Sequence, residues 1–446
     1  MRVSVIGTGY VGFVSGVCLA EKGHQVTCVD LDSDKIETIN RAEPPIYEKG
    51  LAPLLQRNIG TSFSATTDLA AAVMASELSL IAVGTPFDGD AIDLSHIKAV
   101  SRQIGEVLRT KDSFHAVVVK STVVPGTTNT VVTPLLEMAS GKKAGVDFGV
   151  GMNPEFLREG EAVEDFMNPD RIVLGADCER TLDRMKELYS PFSHVDMVFV
   201  NTKTAEMIKY TANALLATMI SFSNEIANLS SFLGDIDVVD VMKGVHLDKR
   251  LSPIADDGRR IVPAFTTYIE AGCGFGGSCF PKDVKALISH GKQLGMPMNL
   301  LESVISINER QPLEVLRRIE KYFPSLENVQ LAILGLAFKP GTDDMRESPA
   351  IPILRKLMAE KASIKAFDPI ASHEALKIFG KEGIQYCETL EQTIEGVRGI
   401  VILTRWPEFN RLPEMIAGLA EQPVVIDGRR MLNKMDVARY DGIGMG

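Results

Sequence analysis

Residues Gly272–Asp283 read Gly-Cys-Gly-Phe-Gly-Gly-Ser-Cys-Phe-Pro-Lys-Asp, a run whose residue types could carry nucleophilic chemistry. Glycines at 272, 274, 276 and 277 free the backbone for positive φ and for the close approach of a ligand. If Pro281 opens a helix in its first turn, Cys279 stands at a helix N-terminus, where the dipole favours a thiolate. Lys282 adds positive charge beside it, and Asp283 could hold a proton or orient a water. The run also fits a plain glycine-rich turn with one buried structural cysteine. Cys273, on the same loop, reads either as a small core residue or as a disulfide partner for Cys279.

Two further segments hold polar groups at suggestive spacing. From Thr202 to Leu233 there is no proline and no glycine, so a helix of about 45–50 Å is expected. Within its apolar body Glu206, Lys209 and Asn213 fall at i, i+3 and i+7. That stripe occupies one face and is expected to look into a cavity; a solvated stripe is the alternative. A helix this long and apolar also reads as a connector between two domains and as a dimer contact. In Asn153–Glu161, Glu155 and Glu159 are spaced to share a helical face, although acid clusters on loops are usually solvated.

The elements that must position these groups begin at the first residues. Val3–Ile6 reads as a buried strand, followed by Gly7-Thr8-Gly9-Tyr10-Val11-Gly12, a small apolar helix, and a second strand ending at Asp30. This is the dinucleotide-binding fingerprint in its required context. Gly7 permits the tight turn, Gly9 admits the pyrophosphate to the helix N-terminus, and Gly12 lets helix and strand pack. Asp30 would accept hydrogen bonds from the adenosine ribose and repel a 2′-phosphate, which favours NAD over NADP. Lys35 reads as a second ribose contact or as a surface lysine. Strands Leu78–Val83, Ala116–Lys120 and Phe148–Met152 end in Thr85, in Ser121 and Thr122, and in Asn153-Pro154-Glu155. The carboxyl edge of an open parallel sheet is where ligands bind.

A second alternating region follows a break expected at Pro312 and Pro324. It has strands at Val329–Leu334, Ser363–Asp368, Gly399–Thr404 and Val424–Asp427. Its first turn, Gly335–Gly341, lacks the GxGxxG spacing, so a half-Rossmann layer for a mononucleotide is expected. Lys339 and Arg346 beside it, and Arg429 with Arg430, read as phosphate contacts or as surface charge. The expected fold class is α/β, with two Rossmann-like domains joined by a long central helix. The expected divisions are 1–200 for the NAD-binding domain, 201–312 for a central helical dimerisation domain carrying the cysteine loop, and 325–446 for the second, nucleotide-binding Rossmann-like domain.

Composition sets the outer limits. A chain of 446 residues exceeds what one hydrophobic core usually serves, and 45% hydrophobic with 24% charged residues is ordinary for a globular protein. A net charge of −11 argues against nucleic acid or an anionic membrane as partner. Six cysteines scattered without a CxxC pair suit a reducing compartment, and the chain opens directly on a strand. A cytoplasmic protein without a metal site is therefore expected.

Taken together and in order, these motifs resemble the nucleoside-diphosphate-sugar 6-dehydrogenases, the UDP-glucose/GDP-mannose dehydrogenase family. The resemblance rests on Gly7–Gly12, Ser121–Gly126, Asn153–Gly160, Glu206–Asn213, Gly274–Asp283 and Gly335–Pro349. It implies NAD-dependent four-electron oxidation of the C6 hydroxymethyl of UDP-glucose or a related nucleotide sugar by a homodimer, with Cys279 as nucleophile. In the roles it implies, Lys209, Asn213 and Asp283 polarise oxygens or hold water, Thr122 positions that water, and Glu155 takes part in hydrolysis. Glu159 lies at substrate and cofactor. Val11, Asp30, Lys35, Thr85, Lys282 and Arg346 touch NAD. Phe156, Leu157 and Arg158 touch the sugar nucleotide, as do Tyr268, Ile269, Glu270, Ala271, Gly272, Gly276, Phe338 and Lys339.

One departure concerns an Asp-x-Arg-Ile-Gly run expected shortly before the nucleophile. Its nearest match, Asp248–Ser252, lies further upstream, and Pro253–Thr267 reads as an insertion. Arg250, Arg259 or Arg260 could replace the usual arginine. Two other readings share parts of the sequence. A two-electron hydroxyacid dehydrogenase lacks the cysteine loop and second α/β region, and a nucleotide-sugar sensor has no need of Cys279, Lys209 and Glu155 together.

Overall fold

Strand β1 (Arg2–Ile6) buries every residue after Arg2, as a strand covered on both faces must. It is central in a sheet with β2 (Gln25–Val29), β3 (Phe63–Thr66), β4 (Leu78–Ile81), β5 (Ala116–Val119), β6 (Gly149–Met152), β7 (Ile172–Ala176) and β8 (Met197–Val200). The strand order is β3-β2-β1-β4-β5-β6-β7-β8, parallel except for the antiparallel pair β6 and β7. The order reverses between β1 and β4, which is where such sheets open a ligand crevice. Gly7 leaves β1 with φ +102° and donates its N–H to Val29 O at 2.7 Å. A Cβ on Gly12 would lie 2.0 Å from Gly7 O, so only glycine lets the helix Tyr10–Glu21 pack this closely.

The computed structural model describes all residues from Met1 to Gly446 and divides into two units, Met1–Ala212 and Asn213–Gly446. The second unit holds β9 (Gln330–Leu334), β10 (Ser363–Phe367), β11 (Ile384–Tyr386), β12 (Gly399–Ile402), β13 (Val424–Asp427) and β14 (Tyr440–Gly442). All pairs are parallel, in the order β11-β10-β9-β12-β13-β14. This is a complete doubly wound sheet, not the half layer expected. The two strands that complete it, β11 and β14, have three residues each and leave almost no periodic signal. Gly335 repeats the role of Gly7, with φ +89° and an N–H bond to Phe367 O at 2.8 Å. After it, Asp368 Oδ2 accepts from the N–H groups of Leu336 and Ala337 at 2.8 and 3.1 Å.

A single helix runs from Thr202 to Leu233, as the sequence predicts. The break expected at Pro312 falls elsewhere. One helix, Phe280–Gln293, ends before Gly295, whose φ of +75° gives a left-handed stop, and Asn299–Tyr322 starts after Pro297. Pro312 lies inside that second helix and forfeits only its own bond toward the Asn308 carbonyl. Neighbouring apolar residues such as Leu316 and Ile319 hold the helix on the second core. No helix is long and apolar enough to cross a membrane.

Candidate active site

In the first unit the cofactor turn is open where a pyrophosphate would need space. Gly9 precedes the helix Tyr10–Glu21, is exposed, and a Cβ placed on it would meet nothing within 4 Å. An anion there would face free backbone N–H groups and the positive end of the helix dipole. Val11 follows, half-buried. Asp30 closes β2: its Oδ2 accepts from Thr8 N at 2.9 Å and from the Thr8 hydroxyl, and its Oδ1 from Asp32 N at 3.2 Å. Lys35 Nζ stands 3.3 Å from Oδ2. Burial would raise the Asp30 pKa, but the Thr8 and Asp32 donors and Lys35 together hold it below the usual carboxylate value. The carboxylate is thus ionised at neutral pH, as exclusion of a 2′-phosphate requires. These features fit NAD.

Three loops at the carboxyl edge of this sheet are tied down by side chains. Thr85 is buried and donates its hydroxyl to Thr122 O at 2.7 Å, while Ser121 donates to Val83 O at 2.7 Å. Thr122 itself stays half-buried. Glu206, fully buried on the long helix, accepts from Thr128 N at 2.8 Å and the Thr128 hydroxyl at 2.7 Å, and from Gly126 N. One turn further on, Lys209 Nζ lies 2.9 Å from Glu155 Oε1, with both side chains 5% exposed. The polar stripe therefore faces inward, as one of its two readings required. Burial alone would raise the Glu155 pKa. Lys209, the Leu157 N–H bonded to Oε2 at 2.7 Å, and Lys120 instead hold it below the ordinary glutamate value.

Around that pair the Asn153–Glu161 segment divides. Phe156 lies under the Lys209 ammonium, 5.6 Å from ring centroid to Nζ. Leu157 and Glu159 are half-buried, and Arg158 is exposed with its guanidinium forked onto Asp165 at 2.6–3.2 Å. Lys120, passed over at the end of β5, is buried and donates to Asn153 Oδ1 at 3.0 Å and Tyr189 Oη at 3.4 Å. Burial brings its pKa down to about 8. Its one sequence signal was its place next to Ser121 at the strand's carboxyl end.

In the second unit Cys279 immediately precedes the helix Phe280–Gln293, with Pro281 in its first turn. The thiol is half-buried, with Ser278 Oγ 3.6 Å from Sγ, and Asp283 N donates to Cys279 O at 2.8 Å. Asp283 is 1% exposed and accepts from Asn213 Nδ2 at 2.6 Å and Lys282 Nζ at 2.6 Å. The Lys282 ammonium, expected at the cofactor, pairs with Asp283. The glycines have steric reasons. A Cβ on Gly276 would lie 2.3 Å from Glu347 O, and one on Gly277 2.7 Å from the Phe338 ring, at φ +83°. Gly277 N bonds Arg346 O at 2.8 Å, and Gly272 is fixed by Asn224 at 2.8 Å and Gln311 at 2.9 Å.

The remaining expected contacts are less uniform. Tyr268 is exposed and meets Phe280 edge-on at 6.3 Å, whereas the side chains of Ile269 and Ala271 are buried and offer a ligand only backbone. Glu270 pairs with Arg405 at 2.5 Å. Lys339 lies 5.6 Å from the centroid of the Phe338 ring, and Arg346 pairs with Asp344 at 2.8 Å. Arg429 donates to the backbone carbonyls of Leu403 and Gly274 at 2.7 and 2.9 Å, and Arg430 pairs with Asp237 at 2.9 Å. Arg250, before the insertion, and Arg259, within it, are exposed beside Asp248 and Asp257, while Arg260 ties together the carbonyls of Leu247 and Ser252 at 2.8 Å. Cys273 is a core residue: fully buried, its thiol pKa raised by that burial, and in no disulfide with Cys279.

Residues 1–193 match the family model described as UDP-glucose/GDP-mannose dehydrogenase family, NAD binding domain; residues 203–310 match its central domain and 332–434 its UDP binding domain. The chain is 42% identical over 445 residues to a UDP-glucose 6-dehydrogenase of Bacillus subtilis, covering 98% of this chain and 92% of that protein. It is also 42% identical over 430 residues to a GDP-mannose 6-dehydrogenase of Pseudomonas savastanoi, covering 93% and 94%. Among solved structures, a UDP-glucose dehydrogenase from Pyrobaculum islandicum superimposes with a TM-score of 0.88 at 37% identity, covering 100% of this chain and 98% of that one.

Proposed function

The chain belongs to the UDP-glucose/GDP-mannose dehydrogenase family and is an NAD-dependent dehydrogenase acting on a nucleotide sugar, and from that premise we propose that it oxidises the C6 hydroxymethyl of UDP-glucose to the carboxylate of UDP-glucuronate. The reading is carried by Cys279 at the N-terminus of its helix, beside the buried Asp283 that accepts from Asn213 and Lys282. Written with atoms balanced, R–CH2OH, two NAD⁺ and water give R–COO⁻, two NADH and three protons. NAD, when bound, supplies the hydride acceptor for both oxidations.

The chain's own residues do the rest. In the first oxidation the hydroxyl proton leaves to a water held by Asn213 and Asp283, and the Lys209 ammonium offsets charge growing on oxygen. An aldehyde has no second hydride to lose until a nucleophile adds. The Cys279 thiolate forms a C–S bond, giving a thiohemiacetal whose loss of hydride leaves a thioester. Water, positioned by Thr122 and activated with the help of Glu155, then breaks the C–S bond and returns the thiol. Glu159 and the segments Phe156–Arg158, Tyr268–Gly272, Gly276 and Phe338–Lys339 hold the sugar nucleotide, with Ile269 and Ala271 contributing backbone only. In this assignment 1–200 binds cofactor, 201–312 carries the nucleophile, and 325–446 binds the nucleotide.

The test is NADH formed per sugar consumed, across UDP-glucose, GDP-mannose and other nucleotide hexoses, with NAD and NADP in parallel. Two NADH per UDP-glucose and strong preference for NAD are expected. Asp30→Ala is expected to weaken NAD and relax the exclusion of NADP. Highest turnover on GDP-mannose would move the substrate assignment to the second relative's chemistry, and one NADH per sugar would remove the acid-forming step.

We also propose a homodimer built on the long helix. Leu215, Phe222 and Leu229 recur every seven residues on one face and stay 58%, 53% and 52% exposed. A heptad stripe of this kind is the seam a second helix covers. Sedimentation of the intact chain is expected to give a dimer, and Phe222→Glu a monomer; a monomeric wild type refutes the assignment.

A further inference from the structure

Glu48 lies between two segments that the proposed reading assigns to different ligands, yet no role in the reaction has been given to it. It ends the stretch Arg41–Glu48, just before the helix Leu51–Asn58, and is 6% exposed. Its Oε2 accepts from the Tyr10 hydroxyl and from Gly160 N at 2.8 Å, and its Oε1 from Ala162 N at 3.0 Å. Gly160 N also reaches Tyr10 Oη at 3.0 Å, which closes the cluster. Tyr10 is the first residue of the helix that follows Gly9, so its backbone belongs to the cofactor turn. Gly160 and Ala162 flank the end of the segment that carries Glu155 and Glu159.

A buried carboxylate is stable only while its donors stay in place, because each lost hydrogen bond to it exposes a charged group to desolvation. Displacing Tyr10 thus disturbs the anchorage of Gly160, and ordering either segment favours order in the other. Burial together with Glu48 also pushes the Tyr10 phenol pKa upward, so the hydroxyl remains a donor across the working range.

We propose that Glu48 is a positioning residue that ties the cofactor turn at Tyr10 to the Gly160–Ala162 end of the sugar-nucleotide segment, so that binding of one ligand strengthens binding of the other. The inference rests on the proposed assignment of Asn153–Glu161 to the sugar nucleotide. Such coupling is reciprocal, and factors of about 5-fold or more are ordinary for it.

The experiment measures binding of NADH and of UDP-glucose, each alone and in the presence of the other, by titration calorimetry on the intact chain. This pair cannot react forward, so equilibrium affinities are read. The wild type is expected to bind each ligand at least about 5-fold more tightly when the other is present. In Glu48→Gln one acceptor becomes a donor facing an N–H, and in Tyr10→Phe one hydroxyl is removed; both are expected to bring the factor close to one. Tyr10→Phe changes a single atom and keeps the test decisive if Glu48→Gln folds poorly. Variants that lose thermal stability yet keep the wild-type factor show a structural fastener only and overturn the inference, as does a wild type that binds both ligands independently. A wild type that binds no nucleotide sugar refutes the assignment of the segment, and the inference with it.

Discussion

Cys279→Ala is expected to bind cofactor and nucleotide sugar normally and to lose acid formation by roughly 10⁴-fold or more, as when an essential nucleophile is removed. The separation follows from the chemistry of the two steps. Removing the first hydride from a primary alcohol needs a proton acceptor but no covalent bond, and Asn213 and Asp283 are untouched by this substitution. Removing the second needs an sp3 carbon, which Cys279 creates by adding to the aldehyde. Cys279→Ser is expected to accumulate an oxygen ester, which hydrolyses less readily than a thioester. Product analysis with NADH stoichiometry on wild type and both variants decides the point. Uronic acid made by Cys279→Ala at near wild-type rate would show that the glycine loop is structural and that the mechanism is wrong.

Lys209→Met is expected to lower kcat by about 10²–10³-fold, the usual effect of removing one group that stabilises a developing oxyanion. It is also expected to destabilise the protein by about 3–5 kcal/mol near neutral pH, because it leaves Glu155 charged, buried and without its ammonium partner. The pH dependence has a definite sign. With Lys209 present the Glu155 pKa lies below its unfolded value, so its contribution is full above about pH 4.5 and fades as pH falls through the lowered folded value. Without Lys209, burial becomes the dominant influence and raises the Glu155 pKa, so the carboxyl takes up its proton at higher pH. The penalty of Lys209→Met should therefore shrink on acidification. Urea unfolding of wild type and variant at pH 7 and pH 4 checks this; a penalty that is equal or larger at pH 4 rejects the account.

What could be read from the sequence was whatever depends on local sterics. Gly7, Gly12 and Gly277 are legible because a Cβ there collides or a positive φ forbids other residues, whatever surrounds them. The Thr202–Leu233 helix is legible because nothing in it breaks a helix, and its stripe because three polar side chains recur on one face of an apolar rod. Glu48 was not legible: its partners lie 38 and 112 residues away, and no spacing rule links positions 10, 48 and 160. Lys120 is hidden for the same reason, with Tyr189 69 residues on. Strands β11 and β14 are not legible because three residues hold less than two periods of alternation. Pro312 misled because proline disfavours a helix interior locally, whereas the tertiary packing of a 24-residue helix outweighs one lost bond.

The repeated strand order has a consequence for what the second sheet can hold. Its first turn superposes in logic on the first: Gly335 stands for Gly7, and Asp368 after β10 stands for Asp30 after β2. At the next two landmarks the correspondence ends, with Ala337 where Gly9 lies and Pro340 where Gly12 lies. Asp368 then takes the N–H groups of both Leu336 and Ala337, and Trp406 donates its indole N–H to the same carboxylate oxygen at 3.2 Å. Asp30 likewise takes the Thr8 amide, but in the second sheet the next amide, that of Ala337 at the position of Gly9, is also engaged by an anion that belongs to the chain. The Gly335–Ala337 turn is therefore closed to a pyrophosphate held as in the first sheet, and Ala337→Gly alone would leave it closed, because Asp368 and not the methyl group occupies the amides; the nucleotide assigned to this unit is left to Phe338, Lys339 and the loops beyond the turn.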